Sequence, residues 1–353
     1  MVTTPQRIVR QEPYSPVSAV SASCRRACAL AISAAFAFCL MAAAHTPEPP
    51  SNAAIVQRAG HLIEWGRWKE ARRLVEGNLA KNPKNAELLA YDAHIQIGFG
   101  NDEQALKEAK KAVQLDPTCA QCHLYFGEAL GRKAKGESKL LALLEVRKIR
   151  HQLELASRYG PNLGDVYWGW INFNLEVPPV AGGNVQSAFT QAQALGKIDP
   201  VDGLIAQATI ELALGRPNAA LAAYRQAAAR YPNDPRGIFD VGLTLFHRGN
   251  YSQAAAYLRR AQSLQPESAL YSGYYAAVLI HLQKHQRAKQ VIAAAQPLHP
   301  ESRLADFLAA KALKTMGQDY AWARRLVNAY MAASPEPDQP TLSQARRLLA
   351  SLG

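Results

Sequence analysis

The chain has 353 residues, 48% of them hydrophobic, and a formal charge of +12. Its 22 Gly and 21 Pro are spaced rather than clustered, which excludes collagen-like and low-complexity classes and leaves room for one or two globular domains or one elongated array. No Lys/Arg run is long enough for a nucleic-acid-binding tail, so the excess positive charge suits contact with anionic surfaces or acidic peptides.

The first 26 residues are polar and carry Arg7, Arg10, Arg25 and Arg26. Ala27–Ala44 then runs without a charge and ends in Ala42-Ala43-Ala44, small residues where a signal peptidase reads them, ahead of the proline-rich His45–Pro50. The pattern predicts a signal peptide over 1–44, cleaved after Ala44, and a linker over 45–51. The mature protein, periplasmic or secreted, loses four Arg and one Glu and carries +9. The alternative is an uncleaved anchor in the inner membrane, because the eighteen residues 27–44 are just long enough to span a bilayer. Their high alanine content favours cleavage.

Past the linker the chain repeats itself. A first unit, 52–83, carries Ala59, Gly66, Trp68, Ala71, Val75 and Pro83; a second, 86–117, carries Ala93, Gly100, Ala105, Ala109, Ala112 and Pro117. A third opens at Ala120, but its spacing breaks. Gly131–Lys139 is polar and basic, and Leu140–Tyr159 reads as one long helix with Leu140, Leu144, Ile149, Leu153 and Ala156 at helical intervals. The fourth carries Trp168, Trp170 and Phe173 on its first helix. Pro178-Pro179 ends that helix, Gly182-Gly183 turns the chain, and Asn184 can cap the next. Units five to seven, 201–300, are regular. Ala208/Gly242/Ala276, Gly215/Gly249/Gln283, Ala220/Ala254/Ala288 and Pro232/Pro266/Pro300 each step by 34 residues. An eighth, 303–334, keeps Ala310 and Gly317 but puts Trp322 where alanine belongs. Thr341–Ser351 reads as a last amphipathic helix with Arg346 and Arg347 outside.

Each recurring position has a physical reason. The small residue lets two helices approach closely. The Gly ends the first helix because it enters the left-handed cap without penalty. The Ala sits where the second helix crosses the first, and the Pro bars the helix from continuing. Period and pattern resemble the tetratricopeptide repeat, a helix–turn–helix unit that buries its apolar face only when stacked. The resemblance implies an all-α fold: a right-handed α-solenoid of about seven to eight helical hairpins with a C-terminal capping helix. Regular repeats would occupy 52–117 and 201–300, irregular extended ones 118–200, and a degenerate repeat and cap 301–353. A narrower resemblance, to a family of exported bacterial tetratricopeptide proteins, rests on the string Ala129–Ala134, the long helix Leu140–Tyr159 and the loop ending Pro179–Asn184. It implies export and no assigned biochemical role, and the loop departs from the family pattern by reading Pro178-Pro179-Val180-Ala181-Gly182-Gly183.

The sharpest chemical string is Cys119-Ala120-Gln121-Cys122-His123, which holds the only cysteines of the mature chain. It has the form of a c-type haem attachment site, with His123 as axial ligand. It also suits a thiol redox pair at a helix N-terminus, a disulfide between Cys119 and Cys122, or simply two small residues opening a helix. Close-packed hairpins leave no slot for a haem. Arg132, Lys133, Lys135, Lys139, Arg147, Lys148 and Arg150 oppose only Glu137 and Glu145, either as a solvated edge or as a dock for an acidic partner. By repeat position, Val166, Trp170, Phe173, Ile205, Thr209, Phe239, Leu243 and Phe246 face a concave groove suited to an extended or helical apolar peptide. Phosphate loop, nucleophile elbow and metal-ligand cluster are all missing from the sequence. The expectation is a non-enzymatic scaffold or adaptor of the cell envelope. It would hold a protein or peptide partner in the groove, without cofactor or nucleic acid, and touch the membrane only if the N-terminal segment stays uncleaved. The alternative is a haem-binding or thiol-redox protein centred on Cys119, Cys122 and His123.

Overall fold

The computed structural model describes residues 51–135 and 139–353; the expected signal peptide over 1–44, its alternative as an anchor over 27–44, and the linker as far as Pro50 lie outside the described residues. Within them every regular element is a helix. Eight hairpins follow in order: α1 (Asn52–Glu64) with α2 (Trp68–Leu79), α3 (Ala86–Gly98) with α4 (Asp102–Leu115), α5 (Ala120–Lys135) with α6 (Lys139–Tyr159), and α7 (Gly164–Glu176) with α8 (Val185–Ile198). Then come α9 (Pro200–Ala213) with α10 (Pro217–Arg230), α11 (Pro235–His247) with α12 (Tyr251–Leu264), α13 (Ala269–His281) with α14 (His285–Leu298), and α15 (Leu304–Met316) with α16 (Tyr320–Ala332). A single helix, α17 (Leu342–Ala350), ends the stack. The fold is the all-α right-handed solenoid that the repeat pattern implies. Among the described residues no helix is long and apolar enough to cross a membrane.

Local chemistry sets the boundaries. Side-chain oxygens of Asn85, Asn184, Asp199, Asp234, Ser268 and Asp319 accept the first free N–H groups of the helices they precede. Thr341 and Gln344 form a reciprocal capping box on α17. Between paired helices Gly215 and Gly249 turn the chain at φ 71° and 76°. Gln283 occupies the equivalent place at φ 58°, a strained setting for a side chain with a Cβ.

Packing explains the recurring small residues. Ala220, Ala254 and Ala288 are 1%, 0% and 0% exposed, each at the crossing of its hairpin. A Cβ on Gly242 would stand 2.9 Å from the Leu258 side chain and 3.1 Å from its backbone nitrogen. The two helices of a unit are not equivalent. In α13 ten residues are buried, in α12 only three. First helices form an inner layer packed on both sides, and second helices show one face to solvent.

The irregular units differ as the spacing implies. Helix α6 runs 21 residues against 14 for α10. Leu153 and Ala156 are buried while Leu144 is half exposed, so the outer part of the helix extends past the core. In the loop after α7, Pro179–Ala181 makes one 3₁₀ turn and Gly182 takes φ 103°. Any side chain on Gly183 would collide with the Val177 carbonyl, 1.7 Å from its Cβ.

The two ends of the array touch. The Lys69 N–H donates to Glu336 Oε2 at 3.0 Å, and Lys69 Nζ donates to the carbonyls of Ala333 and Ser334. Arg73 Nη2 pairs with Glu301 Oε1 at 2.8 Å. The first hairpin thereby gains partners for its outer surface, which a 34-residue pattern cannot disclose because the contact spans the whole array. Glu336 is 3% exposed, and burial, only partly offset by Lys69, pushes its carboxyl up to about 7.

Two expectations follow from this packing. Ala254→Leu overfills a hairpin crossing and should cost about 1–3 kcal/mol in urea unfolding. Folded Glu336 holds its proton to higher pH than the unfolded chain, so its stabilising share is full below the unfolded value and is lost as pH rises through about 7. Unfolding midpoints measured from about pH 5 to about pH 8 should therefore fall more steeply in the parent protein than in Glu336→Gln.

Candidate functional site on the inner wall

Because the stack repeats every 34 residues, side chains that far apart in sequence meet on the inner layer. Tyr91 and Tyr125 stand edge to face with ring centres 5.4 Å apart. His94 stacks on Tyr125 at 4.7 Å and places Nδ1 2.8 Å from Oε2 of Glu128, its own counterpart one unit on. Further along, Trp168 Nε1 donates to Asp202 at 3.5 Å, and Arg236 Nη1 donates to the same carboxylate at 2.8 Å. Arg236 also bonds Asp199 and Asp234, the caps of α9 and α11, so one guanidinium ties two units together.

Helices α1, α3, α5, α6 and α7 line a cavity of about 540 Å³. Tyr91, His94, Tyr125, Trp168 and Phe173 supply an aromatic wall, and Glu64, Glu128 and Asp165 supply carboxylates. Burial raises the Glu64 and Asp165 carboxyls above the usual range, with Arg236 and His61 opposing it at Glu64 and His94 opposing it at Asp165. Burial alone would lower His94, but the charge and hydrogen bond of Glu128, helped by Asp165, carry it upward. Burial lifts the Tyr91 hydroxyl to about 12 and the Tyr125 hydroxyl well above its usual value. The cavity thus offers aromatic faces and the carboxylates of Glu64, Glu128 and Asp165 to whatever enters, beside Arg132 and Lys135, which also line it and are held in ion pairs with Asp102 and Glu176. Among the described residues no group of three His, Cys, Asp or Glu is placed to hold a metal ion.

The residues expected in the groove are dispersed. Phe173 reaches the cavity wall, its ring 5.7 Å from the Arg150 guanidinium. Val166 is buried behind it, and Trp170 turns back to donate Nε1 to Ser157 Oγ at 2.8 Å. Phe239 is buried against Tyr271, with ring centres 4.5 Å apart. Ile205, Leu243 and Phe246 are half-buried on the C-terminal core, and Thr209 bonds the Ile205 carbonyl. Tyr91, Tyr125 and Glu128 lie outside the residues that repeat position points to. Their signal is the 34-residue step from Tyr91 to Tyr125 and from His94 to Glu128, visible only when polar positions are aligned as carefully as small ones.

Cys119 and Cys122 are joined, with Cα atoms 5.2 Å apart. Cys119 precedes α5, and its sulfur accepts the Cys122 N–H at 3.1 Å. His123 is 3% exposed, with Nδ1 2.7 Å from Gln152 Oε1 and Nε2 2.9 Å from the Pro117 carbonyl. Neither sulfur is free to form a thioether and both imidazole nitrogens are engaged, so these residues do not fit a covalently attached haem. In the basic stretch, Arg132 pairs with Asp102, Lys133 and Lys148 with Glu145, and Lys135 with Glu176.

Comparison with known proteins agrees with the repeat geometry. The tetratricopeptide-repeat family matches over residues 205–269 and 242–303. Residues 205–303 are therefore tetratricopeptide repeats. Proteins built from such repeats are in general non-enzymatic scaffolds that bind proteins. No curated protein matches the chain. Among solved structures it is similar to TTC0263, a thermophilic tetratricopeptide protein of Thermus thermophilus, at 21% identity and TM-score 0.47, covering 56% of this chain and 100% of that one. It is also similar to the Cut9-Hcn1 hetero-tetramer of the APC/C, at 14% identity and TM-score 0.45, covering 86% of this chain and 56% of that one. Yeast Tom70 is similar at 13% identity and TM-score 0.42, covering 85% and 80%. At these identities and scores the likenesses carry no argument about activity or partner.

The cysteine geometry has a direct check. Protein denatured without reductant should resist alkylation at Cys119 and Cys122, take up a label at each of these two after reduction, and show no Soret absorption. Labelling of both thiols without reductant, or a Soret band, would contradict it.

Proposed function

We propose that the protein is a scaffold or adaptor of the bacterial cell envelope that holds a segment of a partner protein in the inner cavity. The carrying observation is the cavity of about 540 Å³, walled by Tyr91, Tyr125, Trp168 and Phe173 and rimmed by Glu64, Glu128 and Asp165. That volume lies in the range that accepts a few side chains or one drug-sized group. Aromatic faces beside carboxylates favour a segment presenting apolar side chains and a cation.

The address rests on the sequence of residues 1–44 and on the cysteines. An uncharged run ending in Ala42-Ala43-Ala44 supports export. A joined Cys119–Cys122 pair suits an oxidising compartment such as the periplasm. In that setting the partner is a protein rather than a nucleic acid, and membrane contact through the chain's own N-terminus depends on whether 27–44 is kept.

The test is site-specific photocrosslinking in cells. Asn172 is exposed and lines the cavity, so a benzophenone side chain there should capture a discrete envelope protein. The same group at Lys107, exposed on the outer side of α4, serves as the comparison. Equal products from both positions, or none from Asn172, would remove the cavity as the binding site.

A further inference from the structure

Charge is segregated between the two layers of the C-terminal half. Helices α10, α12, α14, α16 and α17 each carry two Lys or Arg and not one Asp or Glu. All ten cations are exposed, nine are arginines, and they amount to most of the chain's net +12. The outer helices of the N-terminal half are different: α2 and α4 mix Lys and Arg with Asp and Glu along their length. From residue 200 onward every acidic side chain lies on a first helix or in a loop. The ion pairs of units five to eight follow that division, with Arg216, Arg236 and Arg303 taking Glu211, Asp202 and Asp306.

Several of the outer cations contact backbone carbonyls or a ring. Arg260 donates to the Pro232 carbonyl, Arg324 to the Leu352 carbonyl, and Lys289 Nζ lies 4.9 Å from the centre of the Trp322 ring. None of the ten pairs with an Asp or Glu side chain in the ion pairs found among the described residues. Ten like charges held on successive hairpins repel one another, and an external polyanion relieves that repulsion.

We infer that this outer row is a docking surface for an acidic polypeptide segment, separate from the inner cavity. Three observations choose that occupant. The stack bends until its ends meet, which puts second helices on a convex arc. A flat bilayer touches few ridges of such an arc at once, whereas a flexible chain follows all of them. Secondly, nine guanidiniums to one ammonium is the composition that engages carboxylates two-pronged rather than as point charges. Thirdly, the exposed large apolar residues of these helices, Leu264, Leu298, Tyr320 and Leu342, sit at helix ends and make no face for insertion into lipid. A protein with a cation-seeking cavity inside and an anion-seeking row outside can bridge two partners of opposite charge.

The experiment is fluorescence anisotropy of a labelled oligoglutamate, long enough to cross three hairpins, against the full chain over a salt series. Binding should weaken steeply with salt. The triple variant Arg225→Glu, Arg259→Glu, Arg325→Glu should lose about tenfold or more in affinity. The triple variant Lys107→Glu, Lys110→Glu, Lys111→Glu makes the same change in net charge on α4 and should lose less than about twofold. If charge reversal reduces helicity, the Arg→Gln triple gives the same reading. Equal losses in the two triples would mean that net charge alone is responsible and would overturn the proposal. So would absence of binding, or tighter association with phosphatidylglycerol vesicles or single-stranded DNA than with oligoglutamate.

Discussion

One constraint governs this molecule: wherever the spacing is regular, a residue and the one 34 positions later occupy the same place in adjacent hairpins and lie against each other. Small side chains at the crossings keep that distance short. Ala220, Ala254 and Ala288 have almost no accessible surface, and Gly242 has no room even for a methyl group. Once the spacing is fixed, the inner layer becomes a set of columns in which chemistry propagates sideways. Tyr91 meets Tyr125, His94 meets Glu128, and Trp168, Asp202 and Arg236 meet in series. The polar contacts of the inner wall are therefore consequences of apolar packing, because a looser stack would separate each pair.

The same constraint explains what was legible in the sequence. Gly and Ala at crossings and turns are dictated by sterics, so they recur and announce the hairpins, their order and nearly all their boundaries. The long α6 and the Pro178–Asn184 turn were legible for the same reason, as interruptions of a known spacing. The cavity was not. It forms where the third and fourth units depart from regularity, and its lining depends on rotations that spacing does not encode. Trp170 and Trp168 are two residues apart, yet Trp170 turns back to Ser157 and Trp168 faces the cavity. Position within a repeat tells which layer a side chain belongs to and leaves its neighbours within that layer open.

The two layers also divide the labour of charge. Inner helices carry carboxylates such as Asp165 and Asp202, which burial raises and which His94 and Arg236 only partly offset. Outer helices of the C-terminal half carry only cations. The arrangement costs little in folding, since exposed charges are well solvated and lie on ridges separated by inner helices. It does give the protein two surfaces of opposite character on one rigid body, which is what an adaptor between unlike partners requires.

The contact between Lys69 and Glu336, with Arg73 and Glu301 beside it, changes what kind of object the array is. An open solenoid can gain or lose a hairpin by duplication or deletion and merely become longer or shorter. Here an added unit would push the termini past each other, and a missing one would leave a gap, so the number of hairpins is locked by geometry. Fraying from either extremity is likewise resisted, because loosening the first helix pair unseats the last.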